Sequence, residues 1–176
     1  MKYLVSPRVQ ACLLGTFFLI IVVVDRITKS IAIALLSGAD WINSGACIMD
    51  EPCCLLIGSA TGPCLSFDLV VNRGVSWGLF ATDSMLGFAL MGVLIGGITA
   101  LLAYYMYTRW QAGFSVVGEL FIVAGSVGNL IDRLFYHGVI DFIRLSWGQF
   151  TWPIFNIADC CIVLGVFWVV MQKLKE

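Results

Sequence analysis

Four apolar runs, about Ala11–Leu36, Ser84–Thr108, Phe114–Tyr136 and Trp152–Met171, dominate the sequence. A helix needs roughly 20 apolar residues to cross a bilayer. In lipid each segment must also satisfy its own backbone hydrogen bonds, which restricts such runs to helices or closed barrels. The runs therefore predict an α-helical integral membrane protein with four transmembrane helices joined by an outer loop over residues 37–83. Composition agrees, with 60% hydrophobic and 12% charged residues and a net charge of −1 among 176 residues. A nucleic-acid partner, which would want a basic stripe, is not expected. No repeat, low-complexity tract or linker marks a second unit, so residues 1–176 read as a single membrane-embedded domain.

The first run follows Lys2 and Arg8 as a secretory signal would. No small-residue cleavage site follows it, however, and the apolar pattern resumes after Lys29, so a retained helix is predicted. Basic residues set the orientation. With four spans, Lys2, Arg8, Arg109, Lys173 and Lys175 share one side, against Arg73 and Arg144 on the other. Asp40, Asp50, Glu51, Asp68 and Asp83 also fall on that second side. Both termini are thus expected in the cytoplasm and the long loop outside.

The outer segments have a texture of their own. Gly38–Gly45 reads as irregular, whereas Leu65–Asn72 and Ile140–Leu145 alternate or look extended, as short strands do. They are expected to pair into a small extracytoplasmic β-sheet lying on the membrane, followed by an aromatic interfacial belt at Trp147–Trp152. Cys47, Cys53, Cys54 and Cys64 fall where oxidation permits one or two disulfides, of connectivity that spacing leaves open. Zinc is the weaker reading, because Cys47–Cys64 contains no histidine and matches no standard ligand spacing. Cys12, Cys160 and Cys161 lie in spans and read as small hydrophobes.

Charged and amide side chains at membrane depth mark function by default. Asp25 and Lys29, four apart in the first span, share a helix face and read equally as a self-neutralising ion pair. Asn129, Asp132 and Arg133 share a face of the third span. Asp132 and Arg133 read as a structural pair or polar clamp, whereas Asn129 has no charge partner evident. Asn156 and Asp159 share a face at the start of the fourth span, behind Pro153. Helix capping by Asp159 is the simpler alternative there, weakened because Asp159 stands several residues past the expected start at 152.

Asp141, just outside the third span, and Asp159, just inside the fourth, both fall near the outer membrane face. Consecutive spans joined by a short loop are neighbours, so the two carboxylates can meet. Like charges a few ångströms apart cannot both ionise and will share a proton. One then serves as general base on water while the other polarises a carbonyl, which is aspartic-protease chemistry. Rival motifs are missing: there is no Gly-x-Ser-x-Gly elbow or His-Glu-x-x-His helix, and the single histidine, His137, reads as an interfacial turn residue. No metal or other cofactor is expected. A four-helix thiol oxidoreductase using outer-loop cysteines is the alternative from another class, opposed by the absence of cysteine from residues 137–151. A channel or transporter would explain buried carboxylates but would not need Asn129 and Asn156 where they stand.

Five ordered blocks resemble the bacterial lipoprotein signal peptidases (signal peptidase II). They are Asp25-Arg26-Ile27-Thr28-Lys29, Asn72-Arg73-Gly74-Val75-Ser76-Trp77-Gly78, the stretch Gly125–Arg133, Val139-Ile140-Asp141-Phe142, and Phe155-Asn156-Ile157-Ala158-Asp159. The resemblance implies four transmembrane helices, a small β-cradle and a mobile lid from the 37–83 loop. It also implies Asp141 and Asp159 as the catalytic dyad, with Asn72, Asn129, Arg133 and Asn156 lining the site. The implied partners are membrane lipid and the signal peptide of a prolipoprotein, cut just before a diacylglyceryl-modified cysteine. A monomer in the bacterial inner membrane, open to inhibition by the cyclic peptide globomycin, is expected. The chain departs from the family pattern at Arg26, where glutamine is common, at Val75-Ser76-Trp77, and in the cysteine-rich stretch Cys47–Cys64.

Overall fold

A computed structural model describes residues 6–36, 57–58, 63–74 and 85–175. The expected lid, Cys47, Cys53, Cys54 and the motif residues Val75–Gly78 lie outside these. Among the described residues the order is α1 (Pro7–Leu36), β1 (Ile57–Gly58), β2 (Pro63–Asn72), α2 (Met85–Gln111), α3 (Val117–Tyr136), β3 (Val139–Trp147), β4 (Phe150–Thr151) and α4 (Ile157–Lys173). The strands form one antiparallel sheet in the order β1-β2-β3-β4. By length and apolarity alone, α1 and Leu86–Gln111 can cross a membrane. Of the other two helices, α3 carries Glu119, Asp132 and Arg133, and α4 has 17 residues.

The packing is inverted relative to a water-soluble protein. Five of the six largest fully buried side chains are polar: Lys29, Glu119, Asn156, Asp25 and Asp132. Leu134, Val93, Leu101 and Phe167 are exposed. Such an exterior suits a chain whose surroundings are hydrocarbon, since leucine gains nothing there by turning inward.

Glycine sets the tightest helix crossing. A Cβ on Gly125 of α3 would overlap the Ala158 carbonyl oxygen of α4, and one on Gly165 would come 2.6 Å from the Gly118 carbonyl. The α3–α4 pair approaches this closely because both backbones lack side chains at the crossing. Thr99 of α2 and Ser126 of α3 share a hydroxyl–hydroxyl hydrogen bond of 2.5 Å. The Arg109 guanidinium at the end of α2 lies 3.2 Å from Glu119 in the first turn of α3, bracing the short turn between them.

The two predicted outer strands pair as β2 and β3, with Val70 opposite Asp141 and Asn72 opposite Val139. The ladder is irregular between Phe67 and Val70. Ala32 at the end of α1 packs with Leu69, Ile140 and Phe142, which seats the sheet on the helices. The fourth helix begins later than the sequence suggests, at Ile157 rather than near 152. Pro153 supplies no N–H, and Phe155 instead exchanges backbone hydrogen bonds with Ile143 at 2.8 and 3.0 Å, extending the β arrangement to the cap.

Candidate active site

The late start of α4 puts Asn156 at the N-cap and Asp159 at the third helical position. The Asp159 N–H donates to Asn156 Oδ1 at 3.0 Å, and the Asn156 N–H donates to Asp159 Oδ2 at 3.2 Å. This is a reciprocal capping box. Asp159 is therefore a capping residue after all, and its other oxygen remains for the site. That oxygen, Oδ1, accepts from Asn129 Nδ2 at 2.8 Å.

Asp141 reaches the same place from β3. Its Oδ1 accepts from Asn156 Nδ2 at 2.7 Å and its Oδ2 from Asn72 Nδ2 at 3.0 Å. The Asn156 amide also contacts Asn129 Oδ1 at 3.1 Å and the Ile140 carbonyl at 3.2 Å. One buried asparagine thus links the strand aspartate, the helix aspartate and α3. Burial raises the Asp141 pKa to about 7, the nearby Asp159 carboxylate pushes the same way, and the bonds from Asn72 and Asn156 oppose it. A carboxyl held near neutrality beside a second carboxylate suits proton exchange with water.

Arg133 donates to the carbonyls of Asn129 at 3.3 Å and Gly74 at 3.2 Å, and its charge acts on both Asp141 and Asp159. The expected Asp132–Arg133 pairing is not the one adopted. Asp132 turns instead to Lys29 and Arg26 of α1, each at 2.6 Å, because α1 brings two cations against that face of α3. Asp25 contacts Lys29 at 3.0 Å and Arg26 at 2.8 Å. Two carboxylates and two cations of opposite sign therefore form one closed cluster, more extensive than an isolated Asp25–Lys29 pair.

This cluster touches the site through Lys29, whose Nζ donates to Asn129 Oδ1 at 3.0 Å. It also holds two backbone amides. The Ala158 N–H donates to Asp25 Oδ1 at 3.1 Å, and the Ile140 N–H donates to Asp132 Oδ2 at 3.2 Å. Each of these amides belongs to the residue immediately before a site aspartate. Sequence reasoning overlooked Arg26 as a partner, although counting charges could have found it. Asp25 and Asp132 exceed Lys29 by one buried charge, and a lone buried charge is strongly disfavoured.

Cys64 of β2 is buried with a free thiol, and Cys12, Cys160 and Cys161 are also free. Among the described residues no cluster of His, Cys, Asp or Glu side chains is disposed to hold a metal ion. His137 caps the C-terminus of α3 in the left-handed conformation (φ 55°), the turn role expected for it.

A family model described as signal peptidase (SPase) II matches residues 17–175. The lipoprotein signal peptidase of Thermodesulfovibrio yellowstonii is 34% identical over 157 residues, covering 89% of this chain and 91% of that protein. The lipoprotein signal peptidase of Nitrobacter hamburgensis is 40% identical over 106 residues, covering 57% of this chain. The aligned stretch spans 64% of that protein's length, and 66% of the length of the Methylorubrum extorquens relative. A solved bacterial membrane enzyme shares the fold with a TM-score of 0.62 at 24% identity, covering 93% of each chain. A second structure of that description has a TM-score of 0.61 at 23% identity, covering 94% of this chain and 88% of the other.

Proposed function

Since the chain belongs to the signal peptidase II family, we propose that it is a lipoprotein signal peptidase working as an aspartic endopeptidase, with Asp141 and Asp159 as its dyad. Its substrate is a prolipoprotein carrying a diacylglyceryl-modified cysteine, and the bond cut is the one just before that cysteine. All four helices cross the bacterial inner membrane as a single domain with both termini in the cytoplasm. The sheet and the dyad lie at the outer leaflet, where a signal helix and its lipid can enter sideways from the bilayer. The enzyme acts as a monomer without a metal or other cofactor.

The observation that carries this reading is the Asn156 bridge, which joins the Asp141 carboxylate to the helix turn holding Asp159. The two aspartates act as one unit holding one proton. The ionised member takes a proton from water, whose oxygen attacks the scissile carbonyl carbon. The protonated member hydrogen-bonds the carbonyl oxygen as negative charge develops there. Collapse of the tetrahedral intermediate breaks the C–N bond, and the proton taken from water passes to the departing amine. Asn129 and Asn156 keep the carboxylates aimed, and the Arg133 charge favours the ionised member.

Asp141→Asn and Asp159→Asn are each expected to lower cleavage of a lipidated precursor by at least about 10³-fold, as loss of acid–base function does. Both should remain folded in detergent by their melting transitions, because asparagine keeps the size of the carboxylate and one of the two acceptor oxygens that the neighbouring amides use at each position. Near-normal processing by either variant would remove that residue from the dyad.

A further inference from the structure

We propose that Arg26 is a positioning residue: by clamping Asp25 to Asp132 it fixes the separation of the two backbone segments that carry Asp159 and Asp141. The proposal rests on the reading of those two aspartates as the catalytic pair.

The hydrogen-bond inventory of the buried cluster shows why Lys29 cannot serve alone. An ammonium has three N–H bonds, and the Lys29 Nζ already faces Asp25 Oδ2 at 3.0 Å, Asp132 Oδ2 at 2.6 Å and Asn129 Oδ1 at 3.0 Å. Asp25 Oδ1 is held by the Ala158 N–H. That leaves Asp132 Oδ1, which accepts no hydrogen bond of regular geometry and whose charge is met by the Arg26 Nη1 ion pair at 2.6 Å. The other arm, Nη2, reaches Asp25 Oδ2 at 2.8 Å and the Gly128 carbonyl of α3 at 3.2 Å. Asp25 and Asp132 are 1% and 0% exposed, so water cannot replace either contact.

The planar guanidinium fork keeps its arms at a set spacing, unlike a point-charge ammonium on a flexible stem. Arg26 therefore links two carboxylates of different helices at a defined distance. Asp25 holds the amide before Asp159 and Asp132 holds the amide before Asp141, so that distance passes directly to the dyad. Nothing in the chain of contacts requires Arg26 to touch substrate.

Purified variants assayed on a lipidated precursor test this. Arg26→Met, which removes both donor arms, is expected to lower kcat about 10- to 100-fold, the range for residues that orient catalytic groups from behind, with KM within about twofold. Arg26→Gln returns two N–H donors without charge and should recover most of the loss. The double variant Arg26→Met/Asp132→Asn restores charge balance without the clamp, so it should fold as well as the parent and keep the kcat defect. Wild-type kcat in folded Arg26→Met or in the double variant would overturn the proposal, as would a glutamine variant no better than methionine. Asp159→Asn assayed alongside separates the two readings: its survival would remove the dyad itself, whereas an inactive Asp159→Asn beside a fully active Arg26→Met would remove only the clamp.

Discussion

Burial does most to raise the Asp141 pKa and the Asp159 charge adds to it, while the Asn72 and Asn156 amides lower it. A dyad needs one proton, and a pKa of about 7 for Asp141 means that proton is lost through neutrality. Activity is therefore expected to fall above about pH 7, read as the alkaline limb of kcat/KM in detergent micelles. Asn72→Ala removes a donor that favours the ionised carboxylate, so the Asp141 pKa rises further and the limb moves to higher pH. A limb that stays put or moves down would exclude Asn72 as a determinant of that ionisation. The asparagines at 129 and 156 were readable in the sequence, because three-residue spacing puts each on the face of a neighbouring aspartate. The pairing of Arg26 with Asp132 was not readable from spacing, because Asp132 is held by a different helix.

The α3–α4 pair is the element on which the site depends, because Ala158 lies beneath Gly125 and immediately before Asp159. Gly125→Ala is expected to destabilise the protein by about 1–3 kcal/mol, the usual range for overpacking. In a chain of this size that is a fall of several degrees in Tm, with lower activity from displacement of the first turn of α4. Gly15→Ala is the matched control, since a Cβ there meets nothing within 4 Å, and its Tm should not fall. Equal melting of the two variants would show that the crossing tolerates a methyl group. Helix existence was predictable from apolar length alone. The start of α4 was not, because the pairing of Phe155 with Ile143 depends on a strand from another part of the chain.

Among the described residues, large apolar side chains such as Leu134, Leu101 and Phe167 face outward while Asp25, Lys29, Asp132 and Asn156 are buried. That inversion and the distribution of basic residues predict a four-span topology with the β3–β4 hairpin outside and the α2–α3 turn inside. In a background with the native cysteines replaced by serine, Thr151→Cys should react with a membrane-impermeant maleimide in intact cells. Gln111→Cys should react only after permeabilisation. Labelling of both from one side would overturn the four-span arrangement.

Apolar run length and residue spacing, which are local properties of the chain, were enough to indicate a helical membrane protein, two short paired strands and a short set of polar residues on helix faces. The choice of partner for each buried charge was decided only in the tertiary structure. Asp132 could have faced Arg133 by proximity in sequence, yet it joins Arg26 and Lys29 because α1 and α3 cross there. Asp159 could have been a cap or a catalytic group, and the β-pairing that delays α4 makes it a cap with one oxygen left over. Periodicity tells which face a side chain occupies. Only the crossing of helices and the register of strands tell what that face meets, and in a low-dielectric interior that meeting governs whether a charge is held or expelled.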